Sequence, residues 1–250
     1  MERKIIDMNK ASIKIETIDI TESLRTVLNE KEKLLLRLMS ELPNQYKAIA
    51  FATSMGAEDM VITYVLNKIK SPIEIFTLDT GRLHQETYDL IAEVNQSYTT
   101  QIKMYYPSSN DVENYVSQYG INDFYNSLES RKECCRVRKT EPLKRALNGK
   151  DAWISGIRSE QSITRSDTKL IDKDSTYNLD KISPLLDWTE NEVWAYIKLN
   201  DIPYNKLHDH FFPSIGCEPC TRAISMGEDV RAGRWWWENP EHKECGLHKK

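Results

Sequence analysis

The sequence predicts an α/β protein, a mostly parallel sheet with helices on both faces. Three observations carry this expectation. Short apolar runs of strand length recur along the chain, stretches with helical spacing alternate with them, and the polar, anion-binding residue types follow the runs directly. With 250 residues the chain suits one sizeable α/β domain with appendages, or two modest domains.

The elements follow in order. Thr21 to Leu42 carries Leu24, Val27, Leu28, Leu34, Leu35, Leu38 and Met39 at helical spacing, and Pro43-Asn44 is expected to end that helix. Ala48 to Thr53 reads as a buried strand, followed by a polar loop and a helix to about Lys70. Ile73 to Leu78 is a second strand, Gln85 to Asn95 a helix, Ile102 to Tyr106 a third strand and Ala152 to Ser155 a fourth. Thr189 with Glu192 has the form of a capping box before a structural helix, Val193 to Lys198. The expected division is a helical region over 1–45, an α/β domain over 46–230 and a C-terminal segment over 231–250.

A net charge of −4 argues against nucleic-acid coating as the main role. Met1 to Glu16 is charged throughout and has no apolar run of signal-peptide length. The longest aliphatic cluster, around Leu34-Leu35-Leu36, is broken by Arg37 and too short to span a bilayer. The expectation is a cytoplasmic protein with no membrane or nucleic-acid partner; a homo-oligomer is compatible with the sequence.

Five cysteines are the most informative residues: the adjacent Cys134-Cys135, the C-x-x-C of Cys217 and Cys220, and a lone Cys245. Two close pairs can form a four-thiolate shell around zinc or an iron-sulfur cluster. Adjacent side chains diverge, which suits two corners of a cluster better than one zinc ion. Plain core packing and a disulfide framework are the alternatives, and the second wants an oxidising compartment that nothing here indicates. His208 and His210 are rival metal ligands by position. Cys245 is left over as a candidate nucleophile.

In parallel sheets ligands bind outside the carboxyl ends of the strands. After the first strand, Ser54 to Asp59 offers a hydroxyl, Gly56 and helix-opening amides for a phosphate or sulfate; the alternative is Ser54 as a simple helix cap. After the second, Asp79 to His84 is a tight turn whose carboxylate suits ribose or base contacts. After the fourth, Gly156 to Arg165 offers two guanidiniums, Arg158 and Arg165, to a dianionic group, the alternative being a solvated loop. Of Trp235-Trp236-Trp237, at least two indoles are expected in the core, although a reductant-docking surface is conceivable.

Taken in order, these segments resemble the assimilatory sulfonucleotide reductases, in particular their iron-sulfur-containing adenylyl-sulfate (APS) reductases. The resemblance rests on Thr53 to Asp59, Leu78 to Arg82, Lys132 to Lys139, Gly156 to Arg165, Cys217-Glu218-Pro219-Cys220, Arg231 to Trp236 and Glu244 to His248, and runs from about Tyr46 to the C-terminus. Met55 stands where the family pattern has Phe. The resemblance implies an adenine-nucleotide α-hydrolase-like fold with a mobile C-terminal segment. It implies a [4Fe-4S] cluster on Cys134, Cys135, Cys217 and Cys220, with Lys139 between cluster and substrate and Arg165, Arg231 and Arg234 on the phosphosulfate. Ser54, Gly56, Leu78, Gly81, Gly156 and His248 complete the expected substrate site.

The implied reaction is thioredoxin- or glutaredoxin-dependent reduction of APS to sulfite and AMP, in sulfate assimilation and cysteine biosynthesis. Cys245 attacks the sulfur to give an S-sulfonate, with nearby cations lowering its pKa. The alternatives are the 3′-phosphorylated substrate (PAPS) or dual specificity, an adenylating sulfurtransferase of the same fold, and a non-catalytic zinc module. An intact Ser-Gly-Gly-x-Asp-Ser loop would favour the sulfurtransferase, and the chain has Ser54-Met55-Gly56-Ala57-Glu58-Asp59 instead.

Overall fold

The computed structural model describes residues 18–161 and 169–239. Helix α1, Glu22–Gln45, opens where the Thr21 hydroxyl accepts from the Leu24 N–H. It runs through Pro43 rather than stopping before it. A proline in the last turn deletes one internal hydrogen bond, but Leu42 is fully buried, continuing the stripe of Leu28, Leu35 and Met39, and the Tyr46 N–H closes on its carbonyl at 3.0 Å.

Strands and helices then alternate: β1 Ile49–Ala52, α2 Ala57–Lys68, β2 Glu74–Leu78, α3 Gln85–Ser97, β3 Ile102–Tyr105, α4 Ser109–Tyr119, α5 Leu128–Cys135, α6 Glu141–Leu147 and β4 Ala152–Ile154. Two strands without a counterpart in the sequence reading follow, β5 Ile171–Asp174 and β6 Leu179–Ile182, then α7 Glu190–Leu199. The sheet order is β3-β2-β1-β4-β6-β5, and every neighbouring pair is parallel except β5–β6. A hairpin of Ile-Asp-Lys-Asp and Leu-Asp-Lys-Ile lacks the apolar run that marks the central strands, because β5 is an edge strand with mostly uncovered side chains.

Alternation along each strand divides the interior into two layers. Ile49, Phe51, Ile75, Ala152, Ile154 and Ile182 point to one face, where α1, α2, α3 and α7 pack. Ala50, Phe76, Trp153 and Leu179 point to the other, against Leu143, Ala146 and Leu147 of α6. Helix α1 is therefore built into the main core. Lys31 reaches Glu192 of α7 at 2.7 Å and Lys68 of α2 reaches Glu32 at 2.7 Å. No helix among the described residues is long and apolar enough to cross a membrane.

The chain moves outward from β1 to β2 and β3, then crosses back to place β4 on the other side of β1. The loops after β1 and β4 thus flank a topological switch point at the carboxyl ends of the strands, where such sheets bind ligands.

Candidate active site

A cavity of about 760 Å³ lies at that switch point, in the size range of small-molecule sites. Its wall contains Ser54, Gly56, Leu78, Lys139, Gly156, Arg231 and Arg234. Gly81 does not line it. This residue has φ +69° and donates its N–H to Asp79 Oδ1 at 2.7 Å, so it shapes the turn after β2. Arg165, His248 and the nucleophile candidate Cys245 lie outside the described residues.

The loop after β1 is held by an acid rather than by a helix cap. Gly56 occupies the N-cap position of α2, and Ser54 donates both its N–H and its hydroxyl to Asp59 Oδ2, at 2.5 and 2.7 Å. Met55 takes a left-handed conformation, φ 62°, with its side chain wholly buried. Burial pushes the Asp59 carboxyl up to about 6, with the charge of Glu58 adding and the bonds from Ser54 and Gly156 opposing. A Cβ at Gly156 would overlap Asp59 Oδ1, so glycine there lets the loop after β4 close onto α2. The start of α2, Gly56 to Asp59, faces the cavity and presents the positive end of its dipole.

Two expectations from the sequence change here. Arg158 is not open to an anion: its Nε donates to Glu58 Oε1 at 2.7 Å and its Nη1 to Glu160 Oε2 at 3.0 Å. It ties the two loops together instead. Asp79 does not line the cavity, and its Oδ1 accepts from the Gly81 N–H at 2.7 Å and from the Tyr88 hydroxyl at 2.8 Å, so it shapes the turn after β2.

The four described cysteines are free thiols and meet beside this cavity. Cys134 and Cys135 end α5, while Cys217 caps and Cys220 ends a single 3₁₀ turn, Glu218–Cys220. All four line one small cavity with Arg82, Arg131, Arg138 and Lys139. Burial pushes the Cys134 thiol up, and Cys220 is pushed up to about 12 by burial and by the neighbouring Cys217. Burial also acts to raise Cys217, but the Lys139 charge, the Thr80 hydroxyl at 3.3 Å and Arg234 outweigh it and hold this thiol below its ordinary value. Among the described residues, no three His, Cys, Asp or Glu side chains are grouped as ligands of one metal ion. His208 sits in the wall of the larger cavity with its ring 5.0 Å from that of Trp194, and neither it nor His210 lines the cysteine cavity.

Lys139 lines both cavities. It belongs to a π-helical turn, Arg136–Thr140, between α5 and α6. Such widened turns re-aim side chains and recur at functional sites. In the wall of the larger cavity, Arg234 donates to Ser214 Oγ at 3.3 Å and to the Ile215 carbonyl at 3.1 Å. Its guanidinium crosses Gly216 so closely that a Cβ there would stand 2.5 Å from Nη2. Trp235 is buried between the guanidiniums of Arg131 and Arg234, whose carbons lie 4.6 and 4.7 Å from its ring. Trp237 packs on Phe124 and Tyr125, and Trp236 remains exposed. Two of the three indoles are thus packed, as expected. The sequence reading gave no individual role to Asp59, Thr80, Arg131, Arg138 or Gly216; Asp59, Thr80 and Arg138 lie inside segments it singled out and Gly216 directly precedes the C-x-x-C, whereas Arg131 lies just outside the Lys132 to Lys139 segment.

Comparison with known proteins agrees with this architecture. The family model "phosphoadenosine phosphosulfate reductase domain" matches residues 48–223. A protein of Allochromatium vinosum named adenosine 5′-phosphosulfate reductase is 54% identical over 223 residues, covering 89% of this chain and 87% of that protein. One of the same name from Neisseria meningitidis is 49% identical over 225 residues, covering 90% and 92%. In structure, a phosphoadenylyl-sulfate reductase of Candida auris aligns with a TM-score of 0.65 at 24% identity, covering 83% of this chain and 99% of that one. The FMN adenylyltransferase of Candida glabrata aligns with a TM-score of 0.57 at 16% identity, covering 95% and 83%, and shares the adenine-nucleotide α-hydrolase-like fold. By sequence match over most of its length, the chain belongs to the phosphoadenosine phosphosulfate reductase domain family, together with proteins named adenosine 5′-phosphosulfate reductase.

Proposed function

We propose that this protein reduces adenylyl sulfate to sulfite and AMP, in a reducing cytoplasm, with a thioredoxin-type dithiol as electron donor. The observation that carries the proposal is the position of Lys139, in the wall of both the large anion-compatible cavity and the four-cysteine cavity. The names of relatives about half identical to this chain give the substrate class.

The amides opening α2, with Lys139, Arg231 and Arg234, offset the charge of the phosphosulfate, which makes its sulfur open to attack. The Cys245 thiolate then forms a bond to sulfur. The sulfur–oxygen bond to the phosphate breaks and AMP leaves, with Cys245 carrying an S-sulfonate. A thiolate of the reductant attacks Cys245 Sγ, sulfite departs with the bonding electron pair, and the second thiol of the reductant closes its own disulfide and frees Cys245.

The four cysteines fit a [4Fe-4S] cluster: a dianionic thiolate-bound cluster matches four free thiols in a wall that carries four cationic side chains. Bound there, the cluster would supply local charge beside Lys139 rather than electrons.

The test is anaerobic purification with measured iron and visible spectrum, followed by sulfite release from APS with thioredoxin. Iron-replete protein that releases no sulfite would overturn the activity. Active protein that is colourless and holds zinc would overturn the cluster alone.

A further inference from the structure

We infer that the ion pair of Arg131 and Glu238 is a positioning pair that fixes, beside the cysteine cavity, the point and direction from which the chain leaves towards Cys245. The inference rests on the reading above that Cys245 is the nucleophile.

Arg131 lies on α5 and is almost fully buried, and the Glu238 side chain is 7% exposed. Arg131 donates to Glu238 through both Nε and Nη2, each at 2.8 Å. Such a two-pronged buried pair fixes orientation as well as distance. The Arg131 guanidinium also lies over Trp235, and the Trp235 N–H donates to the Cys220 carbonyl at 3.0 Å. The Glu238 N–H returns to the Trp235 carbonyl at 2.8 Å, so Trp235 to Glu238 forms a closed turn against the cysteine site. Residue 131 also lines the cysteine cavity and interacts with Cys135. One side chain thus touches both the proposed cluster ligands and the base of the segment that carries Cys245.

The consequence is a matter of direction rather than reach. Cys245 is seven residues beyond Glu238 and eight beyond Trp237, which stays packed on Phe124 and Tyr125 when the ion pair is lost. A fully extended chain spans roughly 25 Å in the first case and roughly 28 Å in the second. Freeing Glu238 therefore changes the reach little, and it lowers the effective concentration of the thiolate through lost direction at the point where the chain leaves the cysteine site.

Glu238→Gln and Glu238→Asp test this. Single-turnover formation of the Cys245 S-sulfonate from APS is followed by mass, beside iron content, AMP affinity and amide exchange in the 234–239 peptide. Glu238→Gln should form the adduct about tenfold more slowly, exchange faster at 234–239, and keep iron and AMP binding within about twofold of native. Glu238→Asp, which keeps the charge on a shorter arm, should fall between the two. A native adduct rate in Glu238→Gln overturns the inference, as does a loss of iron and AMP binding in proportion to the rate, which marks a merely structural pair. Should Glu238→Gln fail to fold, Glu238→Asp decides: slowed adduct formation with faster exchange supports the anchor, and native behaviour overturns it. If native protein forms no adduct on Cys245, the functional reading falls, while exchange at 234–239 in the two variants still reports whether the anchor exists.

Discussion

Cys245 and Asp59 represent two kinds of residue, one for which chemistry is proposed from its position in the sequence and one whose work appears only in three dimensions. Cys245 is the cysteine left over once two pairs meet in one cavity. Cys245→Ser is expected to abolish sulfite formation while iron content and AMP affinity stay native; iron loss, or turnover at a sizeable fraction of the native rate, would show that the cysteines were divided wrongly. Asp59 stitches the loop after β1 to the loop after β4. Its carboxyl titrates at about 6 in the fold against 3.8 outside it, so the native state holds this proton more tightly. Stability from this group is therefore greatest at acid pH and falls as pH rises towards about 6, where the buried carboxylate becomes charged. Urea unfolding of native protein and Asp59→Asn should show the native advantage shrinking by about 1 kcal/mol between pH 5 and pH 7. A constant difference would refute it. Arg158 shows why such pairings escape a sequence reading. In the chain it looks like a spare guanidinium, and its partner Glu58 is a neighbour only because β1 and β4 are adjacent in the sheet.

At the scale of elements, legibility followed burial. Strands β1, β2 and β4 announce themselves because they lie inside the sheet with both faces covered, and the edge strand β3 was read from the weaker run Ile102-Lys103-Met104-Tyr105. The β5–β6 hairpin does not, since five of its eight strand positions are charged and it closes the sheet at an edge. Helix α7 was legible from its capping box, and the box is complete: Glu192 N–H donates to Thr189 Oγ1 at 3.1 Å and Thr189 N–H to Glu192 Oε2 at 2.7 Å. What the sequence hides is that Glu192 Oε2 also receives Lys31 of α1 at 2.7 Å. The cap is thus also a joint between helices. Thr189→Ala should cost about 1 kcal/mol of stability, as N-cap losses do. Lys31→Met in the same background should then cost less than it does alone, because both act on one carboxylate. Strict additivity in urea unfolding of the four proteins would disprove the joint.

Across the whole molecule, charge is sorted around the large cavity in a way that bears on substrate choice. Lys139 lines both this cavity and the cysteine cavity, Arg234 acts by its charge on Cys217, and Arg231 lies three residues before Arg234 in the same wall. The loop after β4 and the start of α7 carry Glu160 and Glu190, and Arg158 there is already closed onto the carboxylates of Glu58 and Glu160. With the phosphosulfate held by the three cations and the amides opening α2, the nucleoside is expected to extend towards Glu160 and Glu190. A 3′-phosphate would bring nearly two further negative charges towards these carboxylates, where among the described residues no open guanidinium or ammonium lines the wall. Leaving those charges poorly compensated costs on the order of 1–3 kcal/mol, which is roughly tenfold or more in specificity. APS is therefore expected to be preferred over PAPS, in keeping with relatives that bear the adenosine 5′-phosphosulfate reductase name. The measurement is kcat/KM for both nucleotides, anaerobically, with one thioredoxin. Glu160→Gln and Glu190→Gln sharpen it, since removing a negative charge from the acidic wall should narrow the gap by raising the PAPS value while leaving APS nearly unchanged. A PAPS value equal to or above that for APS in native protein would overturn the preference and leave the proposed cysteine chemistry standing, because that chemistry concerns the phosphosulfate and not the ribose 3′ position.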